Sequence, residues 1–205
     1  MTRRHVGFFI AIGLLIWGGI AAYRAHVRYN LFPRNFGVVD EGKIFRAGAQ
    51  TPAMLKALIE RHKIRTVVDL GAYEPGDRDL QQATRTLKAL GVQRFEFRLV
   101  GDGTGDPNNY VRALNVITDP TKQPVLVHCA TGAQRTSACI VFYRHISQRV
   151  PLEAAFAESF DFKHDPADNP RLKPYIDRWA DAVAQSFRSG QPIPIDQPPP
   201  RPAGE

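Results

Sequence analysis

Apolar positions along this chain alternate between short continuous runs and stretches of helical spacing. Thr51 stands before Pro52, and Met54, Leu55, Leu58 and Ile59 recur three and four residues apart, which predicts a capped amphipathic helix. The run 66–70, closed by Gly71, predicts a buried strand, and 76–90, ended by Gly91, a second helix. A strand over 92–100 follows, then a helix over 108–118 with Tyr110, Val111, Leu114 and Ile117 on one face. The apolar run 124–127 predicts another buried strand, and 135–148 an apolar helix containing Cys139, Ile140, Phe142 and Tyr143. Two more amphipathic helices are expected over 151–160 and 171–187, and 36–48 reads as a hairpin turning at Glu41-Gly42 into a short strand. Strands alternating with helices predict an α/β three-layer sandwich, a largely parallel central sheet flanked by helices.

The two ends differ in kind from this middle. Residues 6–23 form a near-continuous apolar stretch without a charge, preceded by Arg3 and Arg4, which reads as one transmembrane helix and hence a single-pass membrane anchor. A cleaved signal peptide with a small-residue site around 19–22 is the alternative. Arginines on both sides leave the orientation unassigned. Residues 189–205 are proline-rich without periodic apolar positions, so they read as a disordered tail. The expected division is therefore an anchor at 1–28, one folded domain at 29–188 and the tail at 189–205.

Net charge is +7, which suits a membrane surface or an anionic substrate. No basic stripe interleaved with aromatics argues for nucleic acid. The two cysteines, Cys129 and Cys139, have distinct settings and suggest neither a disulfide nor a metal site, and no cofactor is implied. Oligomeric state is not readable.

The chemistry is concentrated where the 124–127 strand ends. His128-Cys129-Ala130-Thr131-Gly132-Ala133-Gln134-Arg135-Thr136 places five residues, glycine among them, between a cysteine and an arginine at a strand-to-helix junction. Residues 130–135 can curl so that their backbone N–H groups converge, with the positive end of the following helix aimed at the same spot. Such a nest binds an anion, and it gives Cys129 the electropositive setting of a nucleophile.

These residues resemble the cysteine-based protein tyrosine phosphatase superfamily, in particular its small, atypical dual-specificity branch, whose signature reads His-Cys-x-x-Gly-x-x-Arg followed by Ser or Thr. The resemblance implies a phosphomonoester hydrolase in which Cys129 attacks phosphorus, Arg135 clamps the phosphoryl oxygens and water hydrolyses a phosphocysteine. Ala130, Thr131, Gly132, Ala133, Gln134 and Arg135 would hold the phosphate. His128 would support the loop, and Thr136 would assist release by bonding the sulfur. The segment 36–48 resembles the branch's amino-terminal strand, and Asp69 matches a structural strand-end position.

The family's general acid lies on a loop upstream of the cysteine, and 101–107 is the matching stretch. Asp102, at the strand-to-loop handover, is favoured. Asp106, before Pro107, is the rival but also reads as a helix cap, and Asp119 reads as turn chemistry. Family members act on phosphoproteins, phosphoinositides, and inositol polyphosphates or pyrophosphates. Those specialised for inositol pyrophosphates usually carry Lys-His before the arginine, where this chain has Ala133-Gln134. That neutral pair favours a phosphoprotein substrate, with an inositol polyphosphate or phosphoinositide as the alternative. A catalytically weak phosphate-binding module tethered at the membrane is the competing reading.

Overall fold

The computed structural model describes residues 12, 13, 16–19, 23 and 28–195. Its five strands, β1 (Gly37–Asp40), β2 (Ile44–Gly48), β3 (Thr66–Asp69), β4 (Gln93–Glu96) and β5 (Val125–Cys129), form one sheet in the order β1-β2-β5-β3-β4. β1 and β2 pair antiparallel across the expected hairpin, and every other pairing is parallel. Gly42 makes that turn possible, with φ at 68°.

The period of two along β5 divides the core. Val125, Val127 and Cys129 face one side, where they join Val68 and Leu70 and the helices α4 (Pro107–Ile117), α5 (Gln134–Ser147), α6 (Leu152–Asp161) and α7 (Leu172–Ser189). Leu126 faces the other side with Phe45, Ala47 and Val67, covered by α2 (Pro52–His62) and α3 (Arg78–Ala89). A four-residue helix, α1 (Arg28–Leu31), precedes β1. Thr51 caps α2 as its sequence implies, its hydroxyl accepting from the Met54 N–H at 3.3 Å, with Pro52 in the first turn.

β4 is shorter than the sequence suggests. It is an edge strand with β3 as its one neighbour, and β3 ends at Asp69 before the left-handed Gly71, so the ladder closes at the bond from Phe97 N–H to Asp69 O. Residues 97–100 therefore run on without a partner strand. At the other end, α7 stops at Gly190 in the left-handed region. Ile193 then docks back, exchanging two hydrogen bonds with the Asn108 side chain at 2.8 and 3.1 Å. The rest of the expected tail, 196–205, lies outside the described residues.

The expected transmembrane helix, and with it the single-pass anchor and the membrane as a partner, is corrected. Among the described residues no helix is long and apolar enough to cross a membrane. The longest helix among the described residues, α7, carries Lys173, Asp177, Arg178, Asp181 and Arg188, so one of its faces is polar. Within 6–23, positions 6–11, 14, 15 and 20–22 lie outside the described residues.

Candidate active site

The loop after β5 owes its shape to where its carbonyls go. Ala130 O accepts from the Ala49 N–H at 3.0 Å and from Arg34 Nη1 at 3.3 Å. Thr131 O accepts from Asn35 Nδ2 at 3.3 Å, and Gly132 O from Arg46 Nη2 at 2.9 Å. In a trans peptide the following N–H points opposite to the carbonyl, so three outward carbonyls turn the N–H groups of Thr131, Gly132 and Ala133 away from those outer partners. One is seen at work: Gly132 N–H donates to Cys129 Sγ at 3.2 Å. Ala133 N–H reaches Thr131 Oγ1 at 3.3 Å, and α5, whose first turn carries the positive end of the helix dipole, begins at Gln134, five residues after the cysteine.

Two glycines let the loop lie directly on β2. Gly132 has φ at 77°, and a Cβ there would meet Ala47 C and Gly48 N at 2.6 Å. A Cβ on Gly48 would meet Thr131 O at 2.7 Å. Backbone against backbone at this distance leaves no room for a side chain on either partner.

Arg46 stands behind the loop. It is fully buried, its Nη2 also donates to Ser137 Oγ at 2.7 Å, and its guanidinium stacks on Phe162 at 3.6 Å. Burial lowers it to about 10, opposed by Glu158, Cys129 and Cys139, and it remains a cation at neutral pH. Arg135 donates through Nη1 to Leu70 O at 3.4 Å and to Gly71 O, while its buried Nε has no partner among the described residues. The guanidinium is thus held through Nη1, and Nε is a donor left over.

The carbonyls that hold Arg135 are set by Asp69. Its Oδ1 accepts from the N–H groups of Gly71 (2.9 Å) and Ala72 (2.6 Å), and its Oδ2 from Arg94 Nη2 (2.7 Å) and Nε (3.1 Å). Burial alone would raise this carboxyl, but His128, the Ala72 N–H and Arg94 together hold it below the usual carboxylate range. His128 lies on the opposite face of β5 from Cys129, with Nε2 3.9 Å from Asp69 Oδ2 and its ring edge-on to Tyr73. Burial holds its pKa down against the pull of Asp69. Thr136 is fully buried, and its hydroxyl has no partner among the described residues; Cys129 Sγ is bonded by Gly132 instead. Cys139 is buried in α5, where burial pushes the thiol up to about 12.

Residues 100–106 form a self-closed turn, with Val100 and Thr104 bonded through their backbones. Asp102 Oδ1 accepts from the Thr104 N–H (3.0 Å) and hydroxyl (2.7 Å), and Oδ2 faces Arg171 at 3.7 Å. Gly103 brings this turn against the start of α5, since a Cβ there would lie 3.3 Å from Gln134 C. Tyr110 and Tyr175 anchor it by donating to Gly103 O (2.6 Å) and Gly105 O (3.1 Å); burial raises both phenols, so they stay protonated donors. Asp106 caps α4, accepting from the Asn108 N–H at 2.8 Å. Arg34, Asn35, Arg46 and Tyr175 carry supporting roles that no sequence motif marks, and Tyr110, expected as a core residue of its helix, also fastens the turn. Arg46, a charge inside an otherwise uncharged strand, carried the one signal that could have revealed its role.

Residues 25–168 match the family described as DSP-PTPase phosphatase fused to NAD+ kinase. The chain belongs to this family. It is 36% identical over 135 residues to inositol diphosphatase DSP2 of Oryza sativa subsp. japonica, covering 62% of this chain and 60% of that one. It is 32% identical over 132 residues to inositol diphosphatase DSP4 of Arabidopsis thaliana, covering 62% of each. The chain thus spans about three-fifths of the length of these curated relatives. Among solved structures, the core catalytic domain of the PP-IP phosphatase SIW14 from S. cerevisiae, in complex with citrate, matches with a TM-score of 0.60 at 25% identity, over 80% of this chain and 98% of that one. P. aeruginosa TpbA matches with a TM-score of 0.60 at 20% identity, over 76% and 92%, a likeness of fold alone.

Proposed function

We propose that this member of the phosphatase family hydrolyses phosphoryl groups through a phosphocysteine on Cys129, and that its substrate is a polyphosphorylated inositol carrying a diphosphate. The observation that carries the hydrolase reading is the loop itself, in which the carbonyls are tied outward, Gly132 N–H donates to Cys129 Sγ, and the start of α5 and the unpartnered Nε of Arg135 follow within six residues of the cysteine. The sulfur lone pair attacks phosphorus, and the P–S bond forms as the bond to the leaving oxygen breaks, that oxygen keeping the electron pair. The loop N–H groups and Arg135 hold the three other oxygens as charge redistributes among them. Water then attacks phosphorus and expels the sulfur, and inorganic phosphate leaves. Thr136, with an uncommitted hydroxyl, is the donor that would assist the departing sulfur. His128, on the other face of β5, supports the strand end and takes no proton from substrate.

The leaving group bears on the substrate. An alkyl phosphate expels an alkoxide that needs a proton, the task assigned to Asp102, whereas a diphosphate expels a phosphate monoester whose oxygen leaves with little help. Asp102, committed to Thr104 and facing Arg171, suits the second task better than the first. The relatives' names support the same substrate class. The neutral pair Ala133-Gln134 favours the second reading, a phosphoprotein monoester.

Acid quenching of the full chain during turnover of a 32P-labelled substrate tests the covalent step. Label on the protein, absent in Cys129→Ser, is expected. Turnover with no labelled protein contradicts it, and tight phosphate binding without turnover assigns the chain to the phosphate-binding alternative.

A further inference from the structure

The loop of this chain lacks cations at 133 and 134, and Gln134 does not extend into solvent to compensate. It is buried, its Oε1 accepting from His164 Nδ1 at 2.7 Å, and His164 is itself buried between the rings of Phe156 and Phe160. Beside the loop, however, lies a cavity of about 590 Å³, within the range of about 300–1,000 Å³ that accepts a small-molecule ligand. Thr131 and Gln134 form its loop wall, and Arg34 and Lys163 bring charge from two separate segments. Among the described residues no carboxylate lines it.

The two cations are placed differently. Arg34 is fixed, its guanidinium 4.3 Å above the Tyr29 ring, its Nη1 on Ala130 O, and its buried Nε without a partner among the described residues. Lys163 is exposed, on a backbone held in the left-handed region at φ 66° by its N–H bond to Phe160 O at 3.2 Å. Its ammonium forms no ion pair among the described residues, and the neighbouring Asp165 is occupied by the Ala167 N–H at 2.9 Å. One cation held by the loop and the Tyr29 ring and one exposed cation, both lining a cavity next to the loop, make a surface complementary to further phosphates.

We propose that Arg34 and Lys163 form a second anion subsite that holds non-reacting phosphates of a polyphosphorylated small molecule while one phosphoryl group sits on Cys129. The subsite takes over the electrostatic task that a charged pair at 133 and 134 would serve. It deepens the reading of this chain as a hydrolase of inositol diphosphates, and it rests on that reading for the identity of the substrate.

The test compares the full chain with Lys163→Gln and Lys163→Glu on two substrates, a diphosphoinositol polyphosphate and an aryl phosphate that fills the loop alone. The ratio of kcat/KM between the two is expected to fall about tenfold in Lys163→Gln, through KM rather than kcat, and further in Lys163→Glu. A ratio unchanged within twofold overturns the subsite, as does selective turnover of a phosphotyrosine peptide by the unaltered chain. If nothing is turned over, the hydrolase reading has failed separately, and the subsite is read by calorimetry on Cys129→Ser. Inositol hexakisphosphate should then bind at least tenfold more tightly than inorganic phosphate, an advantage that Lys163→Gln removes; equal affinities overturn the proposal. Arg34→Gln, which also releases Ala130 O, is expected to weaken both ligands, whereas Arg34→Lys keeps the charge and most of the hexakisphosphate affinity.

Discussion

The loop after β5 and the turn at 100–106 both face the start of α5, yet they are built in opposite ways. The first is shaped from outside: Arg34, Asn35, Ala49 and Arg46 each take a loop carbonyl, and β2 presses against Gly132. The second closes on itself through Asp102, Thr104 and Val100, with two tyrosine hydroxyls fastening it to the helices behind. The cradle formed by the loop after β5 is therefore held by partners from outside it. The Asp102 carboxylate, by contrast, is committed within its own turn and to Arg171.

Substitutions can break this contrast, the largest effects falling on the cradle. Arg135→Ala should lower kcat/KM by about 10³-fold and weaken phosphate binding with it, as steady-state kinetics and calorimetry would register. Gly132→Ala places a Cβ against the backbone of 47 and 48 at a positive φ, so it should cost about 3 kcal/mol of stability in denaturant unfolding and most of the activity.

The turn at 100–106 answers to the leaving group. Asp102→Asn should lower turnover of an alkyl phosphate about 10²-fold but that of a diphosphate less than tenfold. Equal losses on both would make the carboxylate structural, and the same leaving-group dependence in Asp106→Asn would move the acid four residues along the chain. Asp69→Asn, which keeps one acceptor oxygen but loses the charge facing Arg94, should cost about 2 kcal/mol at pH 7. The native Asp69 carboxyl titrates below its unfolded value, so the stability it provides is full above about pH 4 and is lost as pH falls through the native value. The acid limb of the stability curve should accordingly flatten in the variant. Asp106→Asn is the mildest change, about 1 kcal/mol or less, because asparagine also caps helices.

The contrast also explains what the sequence made legible. Cys129, Gly132 and Arg135 stand within one contiguous stretch at a strand end, and the alternation of apolar runs with helical spacing placed that stretch in a parallel sheet. The hairpin at 41–42, the cap at Thr51 and the helices on both faces follow from the same local rules. The supports of the cradle come from residues about a hundred positions away, Arg34 and Asn35 to the loop carbonyls, and no local pattern joins them. Strand β4 ended early because its neighbour did, a property of pairing rather than of the apolar run 92–100. The apolar stretch 6–23 carried a membrane reading from hydropathy alone, and no described helix has the length and apolar character to support it.

The central claim is tested most directly by competition on one preparation. The full chain is given equimolar diphosphoinositol polyphosphate and phosphotyrosine peptide, with phosphate release from each followed separately and Cys129→Ser run alongside. The expected result is release from the inositol substrate at least tenfold faster, absent in the variant. Preferential release from the peptide, or release that survives the loss of Cys129, would contradict the account.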